Sequence, residues 1–534
     1  MNPEASRPIL SVCMIVRDEE KNLPDCLSAV RTFADEIVVV DTGSGDRTKE
    51  VALNYTPNVF GFKWIDDFSA ARNRSLALAR GRYAMWLDAD DRFPAESIPR
   101  MHELKGQMYG EKAFYFTMEN IHGDRPPTQW LQLRCVPLRE DIRFEGRIHE
   151  QLFPSVQRLG LPLIALDILI QHEGYADQGA CVGKMRRNLR ILEEELHGGR
   201  NDPELHFFLA RTYLGLGQEQ EAVEAFTRTI QGMERTGSTA PPIVECSLQL
   251  ASLLESRGEK PAAQRVFLKA AALAGDCTQH LYQLALLAQS LEMHVEAANL
   301  IRRLKDTKHL PYLYPSEKVP PREELCVLAA YSYLCLNRRA QAAEQLGEAW
   351  RCGLDAGRSW EMMGVKAARA GREDLALACL EASERGGGMS PEGYCALGEV
   401  RLKRGLTDGA AQCFQAALSL APDNGDALRR LGRLRLQQGD LPEARRLLRP
   451  VADNGEGGVD VLLELALIAS TEQDMDEFDR LQEQILKCSQ PDGANSGDPH
   501  GTAGKASAPP RPRMAEMALK MKSKNRAAGG GKPR

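Results

Sequence analysis

The 534-residue sequence has no glycine-rich loop of the G-x-G-x-x-G or Walker A type and no C-x-x-C pair. The first absence argues against dinucleotide oxidoreductases and P-loop enzymes, whose glycine loops cradle phosphates. The thirteen cysteines fall mostly within apolar helical patterns, so buried thiols in a reducing compartment explain them better than disulfides or zinc. No apolar run is long enough to span a bilayer, and the N-terminus lacks a signal-peptide pattern. We therefore expect a cytoplasmic protein without a membrane span.

An excess of charge of one sign is also missing. The net charge of −6 is too small to indicate nucleic acid or acidic lipid as the main partner. A hydrophobic content of 43% with 27% charged residues is typical of a soluble globular protein. The chain is longer than one ordinary core requires, so we expect two or more domains.

The most informative stretch of the chain is an apolar run that ends in acids. Residues Tyr83–Leu87 predict a buried strand, and Asp88, Asp90 and Asp91 follow at its carboxyl end, where open α/β sheets place their ligands. Strand alternation would send Asp88 and Asp90 to one side and Asp91 to the other. Clustered carboxylates are tolerated when solvated or when a hard divalent cation such as Mg²⁺ or Mn²⁺ neutralises them. Taken alone, the D-x-D pattern fits an acidic turn after an edge strand equally well.

The preceding residues predict a repeating strand and helix pattern. Apolar runs at 9–16, 36–41 and 59–65 are typical of buried strands, and helical spacing of apolar residues at 23–33 and 69–78 predicts helices between them. Alternation of this kind gives a parallel sheet with right-handed crossovers.

Acids follow three of these predicted strands, at Glu19, at Asp41 and at the Asp88–Asp90 pair. Because the carboxyl ends of parallel strands meet at one edge of a sheet, we expect these groups to border one nucleotide-binding crevice. With no glycine loop present, a metal and basic side chains would handle the phosphates, and Arg72 is the obvious basic candidate.

Four motifs in order then resemble a known family. They are Arg-Asp-Glu-Glu at 17–20, Val-Val-Val-Asp-Thr-Gly-Ser-Gly-Asp-Arg-Thr at 38–48, Ala-Arg-Asn-Arg-Ser-Leu at 71–76 and Leu-Asp-Ala-Asp-Asp at 87–91. Together they resemble the family 2 glycosyltransferases, which have the GT-A fold, over roughly the first third of the chain.

The resemblance implies roles for individual residues. The aspartate at Asp41 would contact the base or ribose of a nucleotide sugar, and Arg72 would lie near its diphosphate. Asp88 and Asp90 would hold Mn²⁺ or Mg²⁺ on that diphosphate. We assign donor binding to Glu19, Asp41, Ser44, Arg72 and Asp88. The F-x-G-x-x-H-E segment at 144–150 also resembles this family, and similar folds place a further metal ligand there, which predicts His149 for that role.

An inverting transfer requires a side chain that removes the proton from the attacking acceptor. The candidates for this catalytic base are Glu150, Asp91 and Glu145, with Glu150 preferred. The Glu-Asp pair that family 2 enzymes usually carry after the D-x-D is not cleanly present, and each candidate could be a solvated acid instead. His172 ends another apolar run and either covers the sugar site or holds the end of the domain.

From residue 180 on, the sequence is helical and self-similar. Small residues recur every 34 positions, at Ala330, Gly364, Gly398, Gly432 and Ala466. An earlier run places them at Ala210, Ala251 and Ala285, of which the last two are again 34 apart. This period is that of the tetratricopeptide repeat, and about eight repeats would stack into a superhelix with a concave face. We expect that face to bind an extended peptide or protein, with dimerisation as the alternative.

The predicted fold is an α/β GT-A domain (Rossmann-like, with a mostly parallel sheet) followed by an all-α tetratricopeptide superhelix. The predicted boundaries are 1–180 for the GT-A domain, 181–200 for a connecting helix, 201–310 for a first repeat block, 311–322 for a proline-rich loop, 323–488 for a second repeat block and 489–534 for a disordered basic tail.

Two functional hypotheses follow. The first is a metal-dependent, inverting glycosyltransferase that uses a nucleotide-diphosphate sugar, with a peptide, protein or cell-surface glycan as acceptor and repeats that recognise the acceptor or a partner. The second is a scaffold whose α/β domain binds nucleotide sugar without turnover. All of Asp41, Arg72, Asp88 and Asp90 are present, which favours the enzyme. A nucleotidyltransferase is disfavoured, because a phosphate loop rich in glycine and lysine is missing near the first strand.

Overall fold

The computed structural model describes residues 7–122, 125–173, 178–237, 240–307, 316–317, 319–455 and 457–489. The predicted basic tail, from residue 490 on, and residues 311–315 and 318 of the predicted proline-rich loop lie outside these described residues.

One sheet organises the N-terminal part of the chain. Its strands are β1 Leu10–Val16, β2 Glu36–Asp41, β3 Val59–Gly61, β4 Tyr83–Leu87, β5 Asp91–Arg92, β6 Ala113–His122, β7 Arg125–Pro137, β8 Leu163–His172 and β9 Ser316–Glu317. The helices that accompany and follow the sheet are α1 Leu23–Phe33, α2 Thr48–Leu53, α3 Phe68–Leu78, α4 Ser97–Gln107, α5 Phe153–Arg158 and α6 Gln178–His197.

The sheet is mixed, with strand order β3-β2-β1-β4-β7-β6-β8-β5, and β9 pairs with β7. The first four strands are mutually parallel, and β6 and β8 are also parallel. Strands β4 and β7, β6 and β7, β5 and β8, and β7 and β9 pair in antiparallel fashion. The predicted parallel order is present in β1 to β4, and the later strands make the sheet mixed, because β6 and β7 are consecutive long strands that pair directly with each other.

The central strands are buried on both faces, which explains their continuous apolar runs. In β4, Met85 joins a cluster that also contains apolar side chains of α1 and α4. Its neighbours Ala84 and Trp86 belong to a second cluster that includes Leu76 of α3. Successive residues thus pack against opposite layers of helices.

The helical part contains eight helix pairs within the described residues. Their helices are α7 Pro203–Gly215, α8 Glu219–Arg235, α9 Ala240–Ser256, α10 Lys260–Leu273, α11 Thr278–Ser290, α12 His294–Asp306, α13 Arg322–Cys335, α14 Arg339–Arg351, α15 Ala356–Arg369, α16 Glu373–Arg385, α17 Pro391–Lys403, α18 Thr407–Leu420, α19 Gly425–Gln437, α20 Leu441–Asp453, α21 Gly458–Thr471 and α22 Met475–Ser489. None of the helices in the described part of the chain is both long and apolar enough to cross a membrane.

The small residues with 34-residue spacing are buried where the two helices of a pair meet. A Cβ added to Gly364 would lie 2.5 Å from Leu380 Cγ, and one added to Gly398 would lie 2.5 Å from Phe414 Cε1. Separations this short cannot hold a methyl group without movement of the neighbour. The close approach of paired helices therefore requires the small residues that the repeat pattern predicts.

The N-terminal part and the first helices of the helical part share an apolar cluster. Ile148, which lies between β7 and α5, belongs to the same buried cluster as Ile191 and Leu192 of α6 and Phe208 of α7, and Phe68 of α3 packs against it. In addition, β9 lies between α12 and α13 in the chain and pairs with β7 of the sheet. Two separate parts of the helical region thus contact the N-terminal part of the chain.

Candidate active site

The acids of the D-x-D segment lie in a turn at the carboxyl end of β4. The strand ends at Leu87, and the turn is closed by the Asp91 backbone N–H, which donates to the Asp88 carbonyl at 3.2 Å. Asp91 then opens β5, which pairs with β8 and places Asp91 opposite His172. The predicted separation of Asp91 from the other two acids is wrong, because the chain turns before strand alternation can act.

Four side chains consequently meet at this edge of the sheet. In the described part of the chain, ligand atoms of Asp88, Asp90, Asp91 and His172 all lie within 4.8 Å of one another. Three carboxylates and an imidazole are a donor set that suits a hard or borderline divalent cation such as Mg²⁺ or Mn²⁺. The acidic cluster therefore has the composition of a metal site.

Within this cluster Asp91 is buried and holds its neighbours in place through hydrogen bonds. Its side chain is 0% exposed, and its Oδ2 accepts hydrogen bonds from the Asp88 backbone N–H at 2.9 Å and from Arg134 Nη1 at 3.0 Å. Its Oδ1 lies 3.0 Å from His172 Nδ1. Because both oxygens are engaged and water is excluded, Asp91 is poorly placed to take a proton from an acceptor, and this placement argues against its predicted role as base.

Arg134, which sequence reasoning missed, is the counter-ion of the cluster. It is 2% exposed, lies 3.6 Å from Asp88 Oδ2, and stacks over Trp86 with 3.7 Å between the guanidinium carbon and the ring centroid. The one sequence feature that pointed to it is a cation inside the apolar run of β7, where a charge is found only when it is paired.

Arg72 joins the cluster to the predicted base. Its Nη2 donates to Asp88 Oδ1 at 2.8 Å and its Nε donates to Glu150 Oε1 at 2.5 Å. Burial would raise the pKa of Asp88, but Arg72 and then Arg134 outweigh it and hold that pKa well below its usual range. Asp88 is thus kept as a carboxylate beside two guanidinium groups.

Helix α3 places Arg72 and Glu150 together. The helix begins at Phe68, and its N-cap Asp67 accepts a hydrogen bond from the Ala70 backbone N–H at 2.8 Å. One turn further on, Asn73 Nδ2 donates to the Phe144 carbonyl at 2.9 Å, and Asn73 Oδ1 accepts from the Phe144 N–H at 2.8 Å. This paired contact fixes the segment from 144 to 150 against α3.

Asp90 is, with Asp88, a partly exposed acid of the cluster. Its side chain is 17% exposed, against 28% for Asp88, and its Oδ1 lies 3.4 Å from His172 Nδ1. Burial, together with the charges of Asp88, Asp91 and Glu19, raises the pKa of Asp90 to about 6 against the opposing effect of His172. The energetic cost of this crowding is what a bound cation would relieve.

Asp41 and Ser44 lie in the loop after β2. Asp41 is buried, and it accepts hydrogen bonds from the backbone N–H groups of Gly43 at 3.0 Å and Ser44 at 3.2 Å. Lys49 Nζ lies 3.2 Å away. Burial would raise the pKa of Asp41, but the hydrogen bonds from Ser44 and Gly43 and the contact with Lys49 lower it. Asp41 is therefore a fixed carboxylate at the sheet edge.

The loop after β1, which carries Glu19, is tied to the loop after β2. The Asp18 N–H donates to Ser44 Oγ at 3.0 Å, and the Glu19 N–H donates to Thr48 Oγ1 at 2.7 Å. Glu19 follows the end of β1, the strand that pairs with β4, and its charge contributes to the raised pKa of Asp90. The structure thus brings Glu19 and Ser44 to the same edge as Asp88.

Two predicted residues lie away from this cluster. Glu145 pairs with Arg158 near the surface, and this hydrogen bond lowers the pKa of the Glu145 carboxyl, which argues against a role as base. His149 does not join the four clustered side chains. The His149 ring stacks on Phe208 with 4.2 Å between the ring centroids. Burial and then the charge of the nearby Arg211 lower the pKa of His149 to about 4. Since β8 delivers His172 instead, the placement of His149 does not support its predicted role as metal ligand.

Comparison with known families agrees with this architecture. Residues 11–110 match the family model described as glycosyl transferase family 2. Residues 203–231 and 395–477 match models of the tetratricopeptide repeat. These matches confirm the predicted combination of a family 2 glycosyltransferase domain with tetratricopeptide repeats.

Individual relatives match parts of the chain. A TPR repeat-containing protein of Synechococcus elongatus is 33% identical over 264 residues, covering 48% of this chain and 64% of that protein. The SPbeta prophage-derived glycosyltransferase SunS of Bacillus subtilis is 24% identical over 241 residues, covering 43% of this chain and 56% of SunS. The chain thus matches between 56% and 64% of the length of these relatives. Among solved structures, the C-terminal part of a TPR repeat-containing protein from Cytophaga hutchinsonii is similar at 17% identity with a TM-score of 0.28, covering 45% of this chain and 95% of that one.

Proposed function

With a glycosyltransferase family 2 domain at residues 11–110, we propose that this protein transfers a sugar, with inversion, from a nucleotide-diphosphate sugar to a peptide, protein or cell-surface glycan. The observation that carries the proposal is the cluster of Asp88, Asp90, Asp91 and His172 at the carboxyl edge of β4. Such an edge is where open α/β sheets bind their ligands. We also propose that the protein acts in the cytoplasm.

The acidic cluster would hold the metal through Asp88, Asp90 and His172. When bound, Mn²⁺ or Mg²⁺ supplies stabilisation of the negative charge on the departing diphosphate. Asp91 orients His172 through the 3.0 Å contact between Oδ1 and Nδ1, and Arg134 balances the charge of Asp91 from within the sheet. The role predicted for His149 thus passes to His172 in this proposal.

The donor would lie along the loops after β1, β2 and β4. Asp41 and Ser44 border the position of the nucleoside, with Glu19 on the side of the metal. Arg72 faces the diphosphate, because it lies between Asp88 and Glu150. Among the described residues its Nη1 has no hydrogen-bond partner, so this guanidinium keeps a donor for a phosphate oxygen.

Glu150 remains the best-placed base of the three candidates. Within the described residues, its hydrogen bond to Arg72 uses Oε1, which leaves Oε2 to accept a proton. In the proposed step the acceptor hydroxyl or amide gives its proton to Glu150 as its heteroatom attacks the anomeric carbon. The bond from that carbon to the diphosphate oxygen breaks, and the nucleoside diphosphate leaves with the electron pair.

The test is a donor panel with matched variants. Purified protein and Mn²⁺ are incubated with UDP-, GDP- and dTDP-sugars, and free nucleoside diphosphate is quantified. We expect slow release from one donor that disappears with chelator and in Asp90→Asn. The control Asp167→Asn changes an aspartate whose side chain is 97% exposed and should behave as the unaltered protein.

Donor affinity, measured by calorimetry in parallel, separates the alternatives. Metal-dependent binding of one donor without release indicates that turnover requires the acceptor. Binding without any transfer, even when acceptors are supplied, would favour the nucleotide-sugar-binding scaffold. Failure of every donor to bind with or without metal would refute the proposed site.

A further inference from the structure

The helical region has a groove of about 690 Å³ that is lined by residues between Glu255 and Glu392 and shares none of them with the acidic cluster. It is lined by residues of α9, α11, α13, α15 and α17, which are the first helices of five consecutive helix pairs. With neighbouring helices packed about 8–10 Å apart, four such steps would span about 32–40 Å. An extended chain covers this length with about 10–12 residues at roughly 3.3 Å per residue.

The carboxylates that line the groove are already matched by other side chains. The four pairs are Glu255 with Ser290 Oγ at 2.5 Å, Glu292 with Lys260 Nζ at 2.9 Å, Glu361 with Arg358 Nη1 at 3.2 Å and Glu392 with Arg369 Nη2 at 2.6 Å. Three of these acids are paired with a cation, and Glu255 accepts a hydrogen bond from a hydroxyl group, so Glu255 is the one acid of the lining whose partner carries no charge.

Two cations of the lining are not matched in this way. Lys366 of α15 approaches the ring of Tyr331, with 5.7 Å between Nζ and the centroid, and Arg372 contacts His294 Nε2 through Nη2 at 3.1 Å. Within the described residues, neither has a carboxylate within 4.0 Å. Burial, followed by the neighbouring Arg369, lowers the pKa of Lys366 to about 8, which shows that its charge is incompletely compensated.

The remaining lining is mixed in character. Leu328 of α13 and Met362 of α15 contribute partly exposed apolar side chains, and Gln289 and Ser290 of α11 contribute polar ones. Methionine fills irregular gaps and accepts different side chains. The groove thus combines some apolar contact area and hydrogen-bonding groups with two positive charges six positions apart in the chain.

We propose that this groove binds an extended peptide of about a dozen residues whose acidic side chains neutralise Lys366 and Arg372. The row of lining residues across five helices suits an extended chain, which can contact each helix in turn. A nucleic acid fits less well, because its phosphates would pass four carboxylates and meet only two unmatched cations. The assignment refines the proposed recognition of acceptor or partner, and it is tested by binding alone, so it does not depend on sugar transfer.

The experiment measures peptide affinity of the full chain by fluorescence anisotropy. The probes are labelled 12-residue peptides with two glutamates at every spacing and the same peptides with glutamine in place of glutamate. We expect at least one acidic peptide to bind about tenfold or more tightly than its glutamine counterpart. We also expect that preference to shrink as salt rises from 50 to 300 mM.

Variants of the groove locate the contact. Lys366→Met and Arg372→Gln should each weaken the acidic peptide about five- to tenfold and leave the glutamine peptide unchanged. Arg385→Gln, which removes an exposed cation from the second helix of the same pair, should have no effect. Circular dichroism checks that each variant is folded. If Lys366→Met does not fold, Arg372→Gln alone provides the test.

Three results would overturn the assignment. The first is equal binding of acidic and glutamine peptides, or acidic binding that both groove variants retain. The second is that a 12-nucleotide oligothymidylate or a nucleoside diphosphate binds more tightly than every acidic peptide, and that Lys366→Met and Arg372→Gln abolish this binding. The third is a dimer, seen by sedimentation, that Lys366→Met and Arg372→Gln dissociate, since a second copy would then be the occupant.

Discussion

Removal of the buried cation at position 134 should cost the sheet domain a large part of its stability. The perturbation is Arg134→Met, which keeps an apolar stem of similar length and deletes the charge. Arg134 is 2% exposed and lies 3.0 Å from Asp91 Oδ2, and Asp91 is itself 0% exposed. Methionine therefore leaves Asp91 as a buried carboxylate that has lost its closest cation.

The magnitude follows from this geometry. Breaking a buried ion pair by deletion of one partner costs about 3–5 kcal/mol, because the remaining charge is left without compensation. Asp91 keeps its contact with His172 and its hydrogen bond from the Asp88 backbone, so we expect the lower end, about 3 kcal/mol. The double variant Arg134→Met with Asp91→Asn removes both charges and should be more stable than Arg134→Met alone by about 1 kcal/mol or more.

The assay is urea unfolding followed by tryptophan fluorescence, with circular dichroism reporting the helical region in the same samples. Arg158→Met is the control, since it deletes an exposed partner of Glu145 and should leave the midpoint unchanged. A midpoint for Arg134→Met equal to that of the control would refute the reasoning. A double variant that is less stable than the single one would show that Asp91 does not depend on the cation.

Three further predictions concern the cluster, the repeats and the domain interface. In metal-free protein at pH 7, Asp90→Asn should raise the free energy of unfolding by roughly 1–3 kcal/mol. The reason is that the pKa of Asp90 is about 6 in the folded state and 3.8 in the unfolded state, so ionisation of Asp90 destabilises the folded protein as the pH rises from 4 to 6. Denaturant titrations should show the gain at pH 7 and not at pH 4, and an equal gain at both pH values would contradict this prediction. Gly398→Val should destabilise the repeats by about 1–3 kcal/mol, because the valine side chain would clash with the Phe414 ring. The control is Gly347→Val, where the new side chain has open space apart from the end of Arg351. Equal melting temperatures of the two variants would refute the packing argument. Ile148→Ala should lower the free energy of unfolding by about 2–5 kcal/mol and speed proteolysis of the first repeats, because Ile148 lies in their apolar cluster. Faster cleavage confined to the sheet domain would argue against this shared cluster.

Local pattern alone predicted much of this architecture. The run Tyr83–Leu87 predicted a buried strand because both of its faces are covered, and the structure has it as β4. The 34-residue spacing of Gly364 and Gly398 predicted paired helices because only small residues allow the approach that the neighbouring Leu380 and Phe414 impose. These features depend on residues close in sequence, and their periodicity is visible without knowledge of the fold.

The composition of the acidic cluster was decided by tertiary structure. The resemblance to family 2 glycosyltransferases favoured His149 as the ligand beside Asp88 and Asp90, but β8 pairs with β5 across a separation of 81 residues and brings His172 there. The turn after β4 likewise draws Asp91 into the cluster instead of away from it.

Arg134 shows the same division most clearly. Its position within an apolar strand indicated that the charge needed a partner, yet its partner Asp91 is 43 residues away and is reached only because β7 lies beside β4. Amphipathic periods and small-residue spacing are properties of one segment, so the sequence determined the strands, the helices and the repeats. Which charged groups face each other depends on strand order and on where each strand ends, and only the assembled sheet decided that.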